Sequence, residues 1–163
     1  PGLILLAVWP CAVHMDTVRT GLEDAAWYPS LAVQSDFFMH IRSVLLLILA
    51  VWMAGCVAAD CLLDKKQKWG RELLGLFWPL LGYEILVILS GLFSSYRRFS
   101  FQGMAEQYET VWTLMAYGMT VFYFYYMTRF RKGGDWFLGS FLIGAAIQCI
   151  IGFSQLAGVH FWS

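Results

Sequence analysis

Residues 44–59 read Val-Leu-Leu-Leu-Ile-Leu-Ala-Val-Trp-Met-Ala-Gly-Cys-Val-Ala-Ala, a stretch without one charged or strongly polar side chain. Extended outward, the apolar run begins at Phe37 or Ile41 and ends at Leu63, where Asp64, Lys65, Lys66 and Lys68 close it. A bilayer core of about 30 Å is crossed by about 20 helical residues at 1.5 Å each. A run of this length is too long for a strand, and a membrane barrel strand would be about 10 residues of alternating polarity. The stretch therefore predicts a membrane-spanning helix, and the rest of the chain repeats the pattern.

The whole chain of 163 residues is 60% hydrophobic and 13% charged, with mean hydropathy +0.62 and no formal net charge. Soluble domains are about 45–50% apolar and about 25% charged. This composition excludes a disordered chain and a basic nucleic-acid binder. It also leaves too few charges to wet the surface of a soluble enzyme.

Four further runs follow the same logic. Gly2 to Val13 is short, about 18 Å of helix, and predicts a truncated first span, as in a fragment of a longer protein. Leu73 to Phe93, Val111 to Thr128 and Trp136 to about Ala157 predict three more. The expected fold is all-α: a polytopic transmembrane bundle of about five helices, with residues 1–163 forming one membrane region. The stretches His14 to Asp36 and Ser94 to Thr110 read as polar loops. Gly133-Gly134 reads as a tight turn.

Orientation follows from lysine and arginine, which favour the cytoplasmic side. Loops 64–72 and 129–135 carry seven of the eleven basic residues, against three in loops 15–36 and 94–110, which hold six of the eleven acids. The expectation is a multi-pass protein of the plasma membrane, with the first pair of loops cytoplasmic and the second pair extracytoplasmic. Trp27, Trp69, Trp112, Trp136 and the group Tyr123, Tyr125, Tyr126 fall near the run ends, as an interfacial aromatic belt would.

Three features inside or beside the membrane stand out. Glu84 lies midway along the third run, where a carboxylate costs roughly 2.5–3.5 kcal/mol on insertion scales. Gly91 shares its face, and Pro79 invites a kink upstream. Glu84 reads either as a proton or ion relay or as a hydrogen-bond anchor to Gln148 or a tyrosine. In the fifth run, Ser140, Gly144, Gln148 and Gly152 recur every fourth residue, with Gln155 continuing the face. Such a stripe packs helices closely or lines a polar groove. Ala50, Ala54 and Ala58 form a second stripe that reads as packing alone. Finally, Arg97 and Arg98 stand together in an outward loop, against the positive-inside trend. Guanidinium groups bind phosphate bidentately, so a lipid diphosphate headgroup is one candidate ligand. Glu106 and Glu109 are the alternative partners.

Other chemistry has little support. Cys11, Cys56, Cys61 and Cys149 read as small buried hydrophobes. His14, His40 and His160 lack partners at triad or metal spacing, and no metal site or cofactor is expected. There is no phosphate-binding glycine loop.

The stretch Gly103-Met-Ala-Glu-Gln-Tyr-Glu-Thr-Val-Trp-Thr-Leu-Met-Ala-Tyr117 resembles the outer loop and following helix of the O-antigen ligase and polymerase-like membrane proteins. Leu92 to Tyr96 with Ser100, upstream, is similar to the helix end before that loop. Ile151 to Gly158 resembles the family's Gly-x-x-Gln-x-x-Gly helix end. The family often has glycine where Thr110 stands and arginine where Gln107 stands. The resemblance implies a parent protein of about a dozen helices that transfers a glycan from a polyprenyl-diphosphate carrier to a lipid or glycan acceptor. It implies no nucleotide sugar and no obligatory metal. The family's catalytic arginines and histidine belong to a later loop, so no catalytic position carries over. Arg97 and Arg98 become candidates for holding the diphosphate, and Glu106 or Glu109 for lining the acceptor side. The competing expectation is a transporter or flippase segment with Glu84 as coupling acid, and a third is a scaffold without enzymatic activity.

Overall fold

The computed structural model describes residues 1–12, 16–19, 33–36, 39–63, 70–103 and 108–157. The fold is a helical bundle. Its elements are α1 (Gly2–Ala7) with a 3-10 turn at Trp9–Cys11, a small ribbon of β1 (Asp16–Arg19) and β2 (Val33–Asp36), then α2 (Met39–Leu63), α3 (Gly70–Phe93), α4 (Arg97–Gln102), α5 (Val111–Arg131) and α6 (Gly134–Leu156). Three spans, Met39–Leu63, Gly75–Phe93 and Gly134–Leu156, are long and apolar enough to cross a membrane. α5 is long enough at 21 residues but less apolar, and α1 is short. Against the expected five spans, three helices among the described residues have the length and hydropathy to cross a membrane, and α5 and α1 do not meet both conditions.

The polar stretches hold structure that the sequence reading assigned to loop. β1 pairs antiparallel with β2, Asp16 opposite Asp36 and Arg19 opposite Val33. α4 adds one and a half turns between α3 and α5. It ends at Gly103, whose φ of 78° only glycine adopts without strain, and whose N–H donates to the Phe99 carbonyl at 2.9 Å. Pro79 does not end α3, which runs on through it to Phe93.

Side-chain pairs fix the directions of the long helices. The His40 ring lies 5.0 Å from that of Tyr108, at the start of both α2 and α5. Arg131 Nε donates to Asp60 Oδ2 at 3.0 Å near the end of both. α2 and α5 therefore run parallel. Both ends of this pair match the loop grouping read from charge: one end carries α4, the other Arg129, Arg131 and Lys132. α3 runs antiparallel to α5, with Phe77 edge-on to Phe122 and Tyr125 at 5.1 and 5.2 Å, and Gly91 against Val111. α6 turns back along the bundle, and α1 lies alongside it, with Gly2 against Phe137, and Leu6 and Ala7 against Gly144.

The core sits between α2 and α5. Leu46, Leu49, Ala50, Met53 and Val57 from α2 meet Ala116, Tyr123 and Tyr126 from α5. Of the aromatic residues near the run ends, Tyr123 and Tyr126 are core residues, whereas Trp112 and Trp136 are exposed. Among the described residues the alanine stripe is not a packing face as a whole, because Ala54 and Ala58 are exposed and only Ala50 is buried. The α2 face that packs follows Leu46, Leu49, Met53 and Val57 instead, where large side chains fill the contact. Trp27 and Trp69 lie outside the described residues. Of the cysteines, Cys149 is exposed and the other three are half-buried.

Arg42 fastens the first segment to α2. Its Nη2 donates to the Pro10 carbonyl at 2.6 Å and its Nε to the Ala12 carbonyl at 3.2 Å. Trp9 Nε1 donates back to the Arg42 carbonyl at 2.9 Å, and the guanidinium sits 5.9 Å from the Trp9 ring centre. Carbonyls at the end of a helical segment need outside donors, and a cation there is favoured.

The turn between α5 and α6 is tight, as expected, but its left-handed residue is Lys132, at φ 50° and ψ 35°, and not either glycine. Gly133 N–H donates to the Met127 carbonyl at 3.1 Å. A side chain in this region is strained against the following carbonyl. Lys132→Gly is expected to raise stability by about 0.5–1 kcal/mol after glycine's own entropy cost. The unfolding midpoint in an SDS titration of the purified protein should rise, and an unchanged or lowered midpoint would remove the strain.

Candidate functional site

Two places hold the candidate residues, and both lie along the contact between α3 and α5. The first is α4. Its first two residues, Arg97 and Arg98, are both exposed. Arg98 Nε donates to Gln102 Oε1 at 3.0 Å, one turn along, while the Arg97 guanidinium has no hydrogen bond or ion pair with a described residue. Glu109 is exposed and makes no ion pair with either arginine. Glu106 lies outside the described residues. Salt bridging with Glu109 therefore does not explain the arginine pair.

The framework under α4 is firm. Phe101 packs edge-on to Trp112 at 5.9 Å and against Gly91 of α3. A Cβ on Gly91 would stand 2.6 Å from Val111 Cγ2, so the glycine is what lets α3, α4 and α5 meet here. Thr110 caps α5: its Oγ1 accepts from the Thr113 N–H at 3.3 Å, and Thr113 Oγ1 donates to the Tyr108 carbonyl at 2.8 Å. Both threonines are buried. A hydroxyl cap satisfies one of the helix's first N–H groups, a bond that glycine at this position lacks.

The second place is Glu84. Both of its carboxyl oxygens are buried and meet no hydrogen-bond partner among the described residues. Oε1 points at Gly118 of α5, where an added Cβ would collide with it. The expected anchor to Gln148 is absent: Gln148 and Gln155 are exposed on α6, and the helix that Glu84 faces is α5. The stripe on α6 is likewise only partly used. Gly144 is buried against the α1 backbone, Ser140 is half-buried and donates to the Trp136 carbonyl at 2.9 Å, and Gln148, Gly152 and Gln155 are exposed. So α1 takes up one end of the stripe, and no polar groove lined by all five residues forms among the described residues.

Phe77, Glu84 and Gly91 step by seven along α3, and Tyr125, Gly118 and Val111 step by seven back along α5. Each faces its counterpart. A seven-residue repeat is the period that keeps two helices in continuous contact. Gly118 was not singled out by sequence reasoning, although its seven-residue relation to Val111 and Tyr125 is visible in the chain. At the opposite end of the bundle, the Asp60 carboxylate beside Arg131 pushes the guanidinium pKa up further.

Among the described residues no group of three histidine, cysteine or acidic side chains stands close enough to hold a metal ion. Comparison with protein-family models, curated proteins and solved structures returns no match to this chain.

Proposed function

We propose that the chain is the amino-terminal part of a membrane glycan ligase or polymerase, which moves a glycan from a polyprenyl-diphosphate carrier to a lipid or glycan acceptor. In this reading loops 64–72 and 129–135 are cytoplasmic, loops 15–36 and 94–110 are extracytoplasmic, and transfer takes place on the outer side. One observation carries the site: two exposed arginines, unmatched by Glu109, sit on a short helix braced by Phe101, at the end of the bundle opposite Arg129 and Arg131. A diphosphate leaving group needs cations held in place before its charge develops. Paired guanidinium forks suit it. Glu109, and Glu106 with it, would line the acceptor side. The catalytic residues belong elsewhere in the parent protein.

Replacing both arginines with glutamine in the full-length protein is expected to lower turnover of a lipid-linked donor at least about tenfold, as for the loss of one charged hydrogen bond. Assay with purified donor and acceptor in lipid checks this, and unchanged turnover removes α4 from the site. A second reading, a transporter or flippase segment coupled through Glu84, draws on the buried carboxylate without a partner. It expects proton-dependent substrate movement in vesicles that is lost in Glu84→Gln, with no glycan transfer.

A further inference from the structure

We propose that the α3–α5 seam is a proton-operated hinge: with Glu84 neutral the seam closes on Gly118, and with Glu84 ionised α3 parts from α5 and carries α4 with it. The proposal rests on the reading of Arg97 and Arg98 as the donor-binding pair, whose placement the hinge would set.

The closed seam suits a neutral acid and not an anion. Both Glu84 oxygens are shut from solvent against a glycine, with no donor among the described residues. A buried anion without donors is costly, so ionisation favours a parted seam that admits water to the carboxylate. Among the described residues no other charge compensates along this seam. From Gly75 to Phe93, α3 holds Glu84 and Tyr83 as its ionisable groups. From Val111 to Thr128, α5 offers only tyrosines: Tyr117 beside Gly118, exposed, and Tyr123, Tyr125 and Tyr126 toward the far end. α4 offers Arg97 and Arg98, well over a heptad beyond Glu84.

α3 is also lightly held. Among its residues from Gly75 to Phe93, Phe77 and Gly91 are the buried ones, and both lie on this seam. Glu84 stands between them, so its contact with Gly118 is the middle of three. Movement there reaches α4 in two steps, because Gly91 underlies Phe101 and α4 follows α3 after three residues.

The test uses the full-length protein in lipid nanodiscs, with native cysteines replaced and spin labels on exposed positions of α3 and α5, at Leu86→Cys and Val121→Cys. The label separation is expected to lengthen by about 2 Å or more as pH rises from 5 to 9, the scale of a helix shift. Glu84→Gln should hold the short distance throughout. A second pair, Tyr96→Cys with Val121→Cys, should report the same transition. A separation that ignores pH overturns the hinge, as does a pH shift that survives in Glu84→Gln. If the first pair moves and the second does not, the link to the arginines falls. Glutamine at both Arg97 and Arg98 should leave the pH curve in place, so a failed donor assay and a failed hinge are separate results.

Discussion

Met53→Ala is expected to destabilise the bundle by about 2–3 kcal/mol, the lower part of the range for emptying a core site. Met53 has no exposed surface and, with Tyr126, is one of two large side chains wholly enclosed among the described residues. It sits where α2 meets α5, in the cluster that includes Leu49, Val57 and Tyr126. Between helices in lipid the transfer from water is largely absent, since lipid tails are as apolar as the core. What is lost is contact: the neighbours of a deleted side chain face a void and forfeit dispersion energy. Val51→Ala, two residues away on the exposed face, should change stability by less than about 0.5 kcal/mol. SDS unfolding of the two variants side by side decides it, and equal midpoints would refute the α2–α5 core.

Gly144→Val is expected to cost about 2–3 kcal/mol, the upper part of the range for overpacking. A Cβ there would stand 2.5 Å from the Leu6 carbonyl oxygen and 3.0 Å from the Ala7 Cα. Both are backbone atoms of a helix pinned by Arg42 through Pro10 and Ala12, so they cannot rotate away as a side chain tip can. Gly152→Val on the same stripe meets open space and should be silent. Thermal unfolding of both variants checks the difference. If Gly144→Val matched the parent protein, α1 would not pack on α6.

The long helices were legible because each needs only a count of apolar residues between charged blocks. Their bounds moved by a few residues: α5 runs on to Arg131, past the expected Thr128, and α3 starts at Gly70. The shorter elements were not legible. β1 and β2 have four residues each, and α4 is a six-residue helix of mixed polarity; none offers a full period of pattern. The site was legible in composition and not in contact. Arg97, Arg98 and Glu84 could be named from charge against position. Which neighbour each meets depends on helix pairing, and a stripe of glycines and alanines marks possible close approach without saying which helix arrives. Gly144 found α1; Ala54 and Ala58 found nothing among the described residues. Gly118 became informative only once α3 was laid against α5.

The modest hydropathy of α5 has a consequence for biogenesis. Its threonines, glycine and tyrosines look mainly inward, toward α2 and α3 and not toward the outside of the bundle. A segment surrounded in this way is released from the greasiness that a solitary span requires. On the membrane reading it enters the bilayer late and in company, leaning on α2 already lodged there. An arrested synthesis intermediate truncated soon after residue 131 should then partition poorly when α2 is replaced by a plain leucine segment.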